Sequence, residues 1–175
     1  MSKFYYTDKE YKQLICSMVV LVDTREQDNK NITDFFDKKG IDWKSKALDT
    51  GDYSLMIPKN IDLGFVKDTY FTEEIVIDKK HKVDEIANNI KEERFHNEVQ
   101  RMAKLKHKYF LIEESSIDDI IEHKYRSQYN DKAFLRTLLR YEYKYDIHFV
   151  FCKRENMGRM ILEMLKMALD MEILK

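Results

Sequence analysis

The chain has 175 residues, of which 43% are hydrophobic and 13% aromatic, and this excludes a disordered segment that cannot form a core. The 31 basic residues nearly balance the 32 acidic residues, which excludes binding to nucleic acid through net charge alone. The apolar run at residues 14–22 is too short to cross a bilayer. We therefore expect a single domain over residues 1–175, away from the membrane and inside the cell, either cytoplasmic or nucleoid-associated.

The first half of the chain has the pattern of short strands around one helix. Between the first two expected strands, apolar residues recur at helical spacing until Gly40 ends the helix. The turn signal at Thr50 and Gly51 precedes a run that fits the first arm of a hairpin. The expected strands are at residues 18–22, 43–48, 53–57 and 75–77.

The second half predicts helices that alternate with two strands. Residues 83–108 are expected to be helical with an interruption near residues 91–93, and Ser115 or Ser116 caps a short helix that follows. The remaining helices are expected at residues 133–141 and 156–174, and the strands at residues 109–112 and 147–152. This order predicts an α/β fold with a central mixed β-sheet flanked by helices.

Two acids and a lysine occupy positions that the hairpin would bring together. Asp52 follows the Gly51 turn, and Asp78 ends the returning strand. Lys80 lies two residues after Asp78, so both side chains project to the same face of an extended chain. Two carboxylates can hold Mg²⁺, and an ammonium can stabilise the charge that develops when a phosphodiester is hydrolysed. The same triplet is also typical of a solvated surface ion pair.

Five segments, in this order, resemble the XPF-type nuclease domain, a branch of the PD-(D/E)xK nuclease superfamily. They are VLVDTRE at 20–26, LDTGDY at 48–53, IDKK at 77–80 followed by Asp84, RF at 94–95 with Glu98, and FLIE at 110–113. The resemblance covers nearly the whole chain, about residues 18–174. It implies a restriction-endonuclease-like fold.

The resemblance also implies a set of site residues. Catalytic roles are expected for Asp52, Asp78, Lys80 and Glu26. Metal ligands are expected at Asp52, Asp78, Glu26 and Asp23, with Mg²⁺ as the cofactor and Mn²⁺ as a substitute. Glu26 would contact the metal directly or through water.

DNA contacts are expected close to this site. Residues 79–108 contain nine basic and five acidic side chains, and a net positive segment favours phosphate contacts through counterion release. The alternative is a solvated helix face. The expected DNA-binding residues are Arg25, Lys79, Lys82, Arg94 and Arg101.

Two features depart from the family pattern. The family's Glu-Arg-Lys reads Asp78-Lys79-Lys80 here, so the acid is one methylene shorter and Lys79 lacks the planar donor fork of Arg. No tandem helix-hairpin-helix follows, so we expect a stand-alone nuclease domain for which the usual junction recognition is not implied.

The last expected helix, residues 157–174, is apolar on nearly all sides. Such a helix must be covered on more than one side, either by the core of its own chain or by a partner. Because members of the resembled family dimerise through this domain, we expect a homodimer through this helix.

These observations predict a Mg²⁺-dependent DNA endonuclease, a phosphodiester hydrolase of DNA repair, recombination or replication, with branched or flapped DNA as candidate substrates. The alternative is a catalytically inactive member of the same fold that binds DNA or scaffolds a partner nuclease. The presence of Asp52, Asp78 and Lys80 together favours the enzyme.

Overall fold

A mixed β-sheet forms the centre of the computed structural model, which describes residues 5–173. The strand order is β2-β1-β3-β5-β6-β7, and β4 pairs with β3. β1 and β2 are parallel, as are β5, β6 and β7, whereas β3 is antiparallel to β1, β4 and β5. The strands are β1 Val19–Val22, β2 Trp43–Ser45, β3 Tyr53–Ile57, β4 Thr69–Tyr70, β5 Ile75–Lys80, β6 His107–Glu113 and β7 His148–Cys152.

Seven α-helices within the described residues cover the two faces of this sheet. Two short 3₁₀ turns, at Ile61–Leu63 and Arg154–Asn156, join the remaining elements. The predicted central mixed sheet with flanking helices is confirmed. The helices are α1 Asp8–Ser17, α2 Lys30–Lys39, α3 Val83–Asn89, α4 Glu93–Met102, α5 Ile117–Ile121, α6 Asp131–Tyr145 and α7 Met157–Ile173.

Several boundaries differ from those expected from sequence. α1 was not predicted, although Thr7 and Glu10 form a capping box at its start and Leu14 anchors it in the core. The helix expected over residues 83–108 is interrupted at residues 90–92, as predicted, but it ends at Met102, before β6. β5 continues to Lys80 because its parallel pairing with β6 extends that far.

The two faces of the sheet bury separate apolar clusters. Ile75 and Ile77 of β5 pack with residues of α1, α2 and α7 on one face, whereas Val76 packs with α3, α4, α5 and α6 on the other. By the same alternation, Asp78 and Lys80 lie on the α3–α4 side and Lys79 lies on the opposite side. This alternation decides which side chains reach the candidate site.

α7 is mainly a core helix of its own chain. Gly158 lets α7 approach α2 closely, since an added Cβ would lie 2.8 Å from the Phe35 ring. Met164 of this helix is buried, and Leu174, the expected last residue of the helix, lies outside the described residues. None of the helices described in residues 5–173 is long and apolar enough to cross a membrane.

Candidate active site

The hairpin formed by β3 and β5 brings Asp52 next to Asp78. The backbone N–H of Asp52 donates to the Ile77 carbonyl at 2.9 Å, and the backbone N–H of Lys79 donates to Asp52 Oδ2 at 2.7 Å. Gly51 makes this approach possible, because its φ is 71° and an added Cβ would lie 1.9 Å from Val76 Cγ2. The predicted pairing of the two strands is therefore present.

Lys80 completes the group together with a glutamate from α4. Its Nζ lies 2.5 Å from Asp78 Oδ1 and 2.9 Å from Glu98 Oε1. Burial lowers the pKa of Lys80, but the carboxylates of Asp78 and Glu98 raise it more, so the net shift is upward and the ammonium form is favoured. The structure thus brings the predicted residues Asp52, Asp78 and Lys80 into one cluster.

The two aspartates are held in an environment that disfavours their charged forms. Burial raises the pKa of Asp52 to about 6, and the nearby Glu26 carboxylate adds to the rise. Burial also raises the pKa of Asp78 well above its usual range, against the opposing charge of Lys80. Asp78 Oδ1 is buried, and the Lys80 ammonium lies 2.5 Å from it. An additional cation would relieve this excess of negative charge.

The donor chemistry of the cluster fits a hard divalent cation. Asp52, Asp78, Glu26 and Glu98 line one cavity of about 290 Å³, and carboxylate oxygens are the ligands that Mg²⁺ prefers. Within residues 5–173, no group of three or more His, Cys, Asp or Glu side chains has the arrangement of a complete metal site. Two carboxylates are sufficient for Mg²⁺, which keeps several waters and takes substrate phosphate oxygens as further ligands.

The carboxylate of Asp23, which is expected to be a metal ligand, is hydrogen-bonded to other protein groups. Its carboxylate accepts hydrogen bonds from the backbone and guanidinium of Arg25 and, at 2.7 Å, from the backbone N–H of Leu48. Burial raises the pKa of Asp23, but these hydrogen bonds outweigh that effect and the net shift is downward. Asp23 does not line the cavity, so a role as metal ligand does not fit. It instead fixes Arg25 and the segment that leads to Asp52.

Lys79, which is expected to bind DNA, has its side chain buried among acceptor oxygens. Its side chain is only 1% exposed, and its Nζ donates to Glu26 Oε1 at 3.2 Å and to the Asp28 carbonyl. Nζ also lies 4.0 Å from Glu113. In this position the Lys79 ammonium holds Glu26, and a contact of Lys79 with DNA stays a prediction. Strand alternation from Asp78 and Lys80 predicts this opposite face.

The remaining predicted DNA contacts are accessible. Arg25, Arg94 and Arg101 are exposed and line the cavity. Lys82 is exposed at the N-cap of α3, outside the cavity lining. Three arginines at the rim therefore surround a carboxylate centre, an arrangement that can hold a phosphate backbone over bound metal.

Glu98, which the sequence indicates only as part of a family motif, is a further residue of the site. Its α-helical register with Phe95, which packs against Phe110 of β6, turns the Glu98 side chain towards Lys80. A second network was also missed: Arg154 pairs with Asp28 at 3.0 Å and with Glu113 at 2.5 Å. These partners are more than 40 residues from Arg154 in sequence, so no local pattern predicts them.

Comparisons with known proteins agree with this geometry. The family model described as the ERCC4 domain matches residues 22–164. Two solved structures of XPF from Aeropyrum pernix are similar in fold at 16% identity: one has a TM-score of 0.63 over 86% of this chain, and the other, a complex with DNA, has a TM-score of 0.62 over 87%. This chain spans 65% of the length of each. No significant match is found among curated proteins.

The likeness in fold bears out the nuclease-domain resemblance noted from the sequence motifs. The family match covers most of the chain and contains Asp52, Asp78, Lys80 and Glu98. The protein belongs to the ERCC4 domain family.

Proposed function

We propose that this protein is a metal-dependent DNA endonuclease that hydrolyses phosphodiester bonds with Mg²⁺, for which Mn²⁺ can substitute. The observation that carries the proposal is the cluster in which the buried carboxylates of Asp52 and Asp78 line one cavity beside the Lys80 ammonium. Membership in the ERCC4 domain family supports it, and a similar fold that is described in complex with DNA supports DNA as the ligand.

Each residue has a role that follows from its charge and position. Asp52 and Asp78 would hold the cation. When bound, this cation supplies an acidified water and a screen for the developing negative charge. Lys80 places a positive charge beside the reacting phosphate, and Glu98 keeps that ammonium in place. Exposed Arg25 and Arg101 neutralise the flanking phosphates.

A cleavage assay tests this proposal. Flap, fork, four-way junction and plain duplex DNA are each incubated with Mg²⁺, with Mn²⁺ or with chelator. We expect cleavage that requires the metal and is lost in Asp52→Ala and Asp78→Ala, with a smaller loss in Lys80→Ala. The control is Asp34→Ala, at an exposed position on α2. Cleavage that persists in chelator, or no cleavage of any substrate with either metal, contradicts the proposal.

Metal binding is measurable separately from cleavage. A ligand that binds only the folded protein stabilises it by about 2.7 kcal/mol when its concentration is about 100 times the dissociation constant. Mn²⁺ should therefore raise the melting temperature of the wild-type protein and not that of Asp78→Ala. An inactive DNA-binding member of the family, the alternative function, predicts no cleavage in the first assay.

The biological setting that follows from this proposal is DNA repair, recombination or replication inside the cell. Branched and flapped DNA are therefore the first substrates to compare with plain duplex. The preferred substrate is the one cleaved at the highest ratio of kcat to KM.

The homodimer through residues 157–174 stays a prediction, and the helix surface that is free for such an interface is smaller than the sequence indicates. Most apolar side chains of α7 already pack in the core, and its large exposed apolar side chains within the described residues are Met167 and Met171, 55% and 47% exposed. Replacing both with Asp should convert a dimer to a monomer in sedimentation equilibrium. A wild-type protein that is monomeric at tens of micromolar ends this prediction and leaves the nuclease proposal unaffected.

A further inference from the structure

A second cleft, of about 790 Å³, adjoins the candidate active site. Asp49, Thr50 and Arg101 line both the second cleft and the catalytic cavity, so the two are continuous. The rest of the second cleft, here called the adjoining cleft, is formed by the segment after β2, by β4 and by the segment after α4. A chain that is bound at the catalytic carboxylates can therefore continue into this cleft.

Three basic and two acidic side chains line the adjoining cleft, namely Lys46, Arg101 and Lys104 with Asp49 and Glu73. Within the described part of the chain, Lys46 and Lys104 form no ion pair, and neither does the nearby Lys44, whereas the charge of Arg101 acts on Glu98. By contrast, Lys79 and Lys80 beside the catalytic carboxylates are paired. Cations that are not neutralised by the protein are the groups that bind phosphates, since binding releases counterions from the nucleic acid.

An aromatic ring lies among these charges. Tyr70 of β4 is 39% exposed, and the Nζ atoms of Lys44 and Lys46 lie 5.3 and 4.8 Å from its ring centroid. A cation–π contact at an exposed site is weaker than the stacking of a base on an aromatic ring. A base can therefore stack on the Tyr70 ring and displace the two lysine ammonium groups, which can then contact phosphates.

We propose that the adjoining cleft binds a single-stranded segment of the nucleic acid, with a base stacked on Tyr70 and phosphates on Lys46 and Lys104. The alternation of an accessible aromatic face with unpaired cations is the chemistry of single-strand binding. Duplex DNA does not offer it the same contact, because its bases are already stacked on each other. This inference rests on the proposed function in one respect: the bound strand is taken to continue from the carboxylates of the candidate active site into the cleft.

Binding measured without cleavage tests the cleft. Fluorescence anisotropy in chelator compares a labelled oligothymidylate of about 12 nucleotides with a duplex of the same length. Tyr70→Ala should weaken binding of the oligothymidylate by about fivefold or more and change duplex affinity by less than about twofold. Tyr70→Phe keeps the ring and should keep the affinity. Tyr143→Ala is the matched control: Tyr143 is 92% exposed on α6, which packs on β7 at the opposite edge of the sheet from β2.

The lysines are tested by salt dependence. Each phosphate contact on a single strand contributes about 0.7 to the slope of log affinity against log salt, so Lys46→Ala with Lys104→Ala should reduce that slope by about 1.4. Lys132→Ala, an exposed lysine at the start of α6, should leave the slope unchanged. Thermal melts confirm that each variant is folded.

The outcomes separate this cleft from the catalytic proposal. If the protein cuts no DNA but binds oligothymidylate through Tyr70, the single-strand site is supported and the nuclease proposal is contradicted. Unchanged oligothymidylate affinity in Tyr70→Ala, an equal loss in Tyr70→Phe, or an equal loss on duplex would each overturn the assignment of a single-strand site.

Discussion

The Nζ atom of Lys80 on β5 lies 2.9 Å from Oε1 of Glu98 on α4, so a carboxylate from a neighbouring helix holds the Lys80 ammonium. A hydrogen bond to a charged group is worth about 1.5–3 kcal/mol, and about 1.4 kcal/mol corresponds to a tenfold change. We therefore expect Glu98→Ala to lower kcat by about tenfold or more with little change in KM. Glu98→Gln keeps an acceptor and should retain most of the activity.

The measurement is cleavage of the preferred substrate over a range of DNA concentrations. Equal losses in Glu98→Gln and Glu98→Ala would show that the charge of Glu98 matters beyond positioning Lys80. The control is Glu163→Ala, at an exposed position on α7.

The raised pKa of Asp52 predicts how stability depends on pH without metal. Burial raises this pKa to about 6, above its value in the unfolded chain, so the folded protein binds the proton more tightly. The stability contributed in this way is present below about pH 4 and is lost as the pH rises through about 6. Asp52→Asn should therefore melt above the wild type at neutral pH, by on the order of 3 °C, with the difference shrinking towards pH 4.

Thermal melts in chelator across this pH range check the prediction. Asp34→Asn, at an exposed position on α2, should melt with the wild type throughout. A difference for Asp52→Asn that does not depend on pH would contradict the assigned titration.

The Lys79→Ala variant distinguishes a role of Lys79 in stability from a role in DNA binding. Removing one partner of a buried ion pair leaves an uncompensated charge and costs about 3–5 kcal/mol. Lys79→Ala should therefore lower the free energy of unfolding by an amount in that range, because Glu26 loses its cation, whereas Glu113 keeps Arg154. Lys82→Ala, at the exposed neighbouring cation, should leave stability nearly unchanged and weaken DNA binding.

Urea denaturation and DNA anisotropy, measured on both variants, decide between the two roles. If the folded fraction of Lys79→Ala lost DNA affinity while its stability matched the wild type, the buried role would be wrong.

Gly51 and Gly40 form a matched pair of left-handed glycines. Both have positive φ, but an added Cβ meets nothing within 4 Å at Gly40 and lies 1.9 Å from Val76 Cγ2 at Gly51. Gly40→Ala should cost about 1 kcal/mol for the backbone alone. Gly51→Ala should cost about 1–3 kcal/mol more through the clash, and should lower cleavage by about 100-fold because it displaces Asp52.

A double variant isolates the clash. Val76→Ala removes the colliding methyl groups, so in the Gly51→Ala background it should cost less stability than it does alone. Urea denaturation of the four proteins gives the coupling energy. Additive losses would show that strain in the backbone, rather than contact with Val76, accounts for the effect.

Period-two patterns and one turn were enough to predict the core of the site. The apolar run before Asp78 and the Gly51 turn before Tyr53 set the pairing of β3 with β5, so the meeting of Asp52, Asp78 and Lys80 follows from local sequence. Long-range packing was not predictable in this way. The approach of Glu98 depends on how α4 packs on β5 and β6, and that of Tyr70 on the pairing of β4 with β3.

Two predicted site residues, Lys79 and Asp23, have other partners in the structure, for different reasons. Lys79 was assigned to DNA from the charge of its segment, although the alternation used for Asp78 and Lys80 turns it to the other face. Asp23 was assigned to metal from its position in a motif, and only the structure reveals the hydrogen bonds to Arg25 and Leu48 that occupy its carboxylate. α1 was missed because its apolar residues run directly into β1.

The alternation of side chains along β5 also determines which segments of the chain tolerate insertions and deletions. A one-residue insertion within β5 would exchange the faces of all the residues that follow it, sending Lys79 to the carboxylate centre and Lys80 to the opposite core. The connection from Pro58 to Asp68, between β3 and β4, is mostly exposed and packs on the core through the buried Leu63 and the partly buried Phe65. Length variation among homologous genes should therefore concentrate in that connection, and β5 should keep a fixed number of residues.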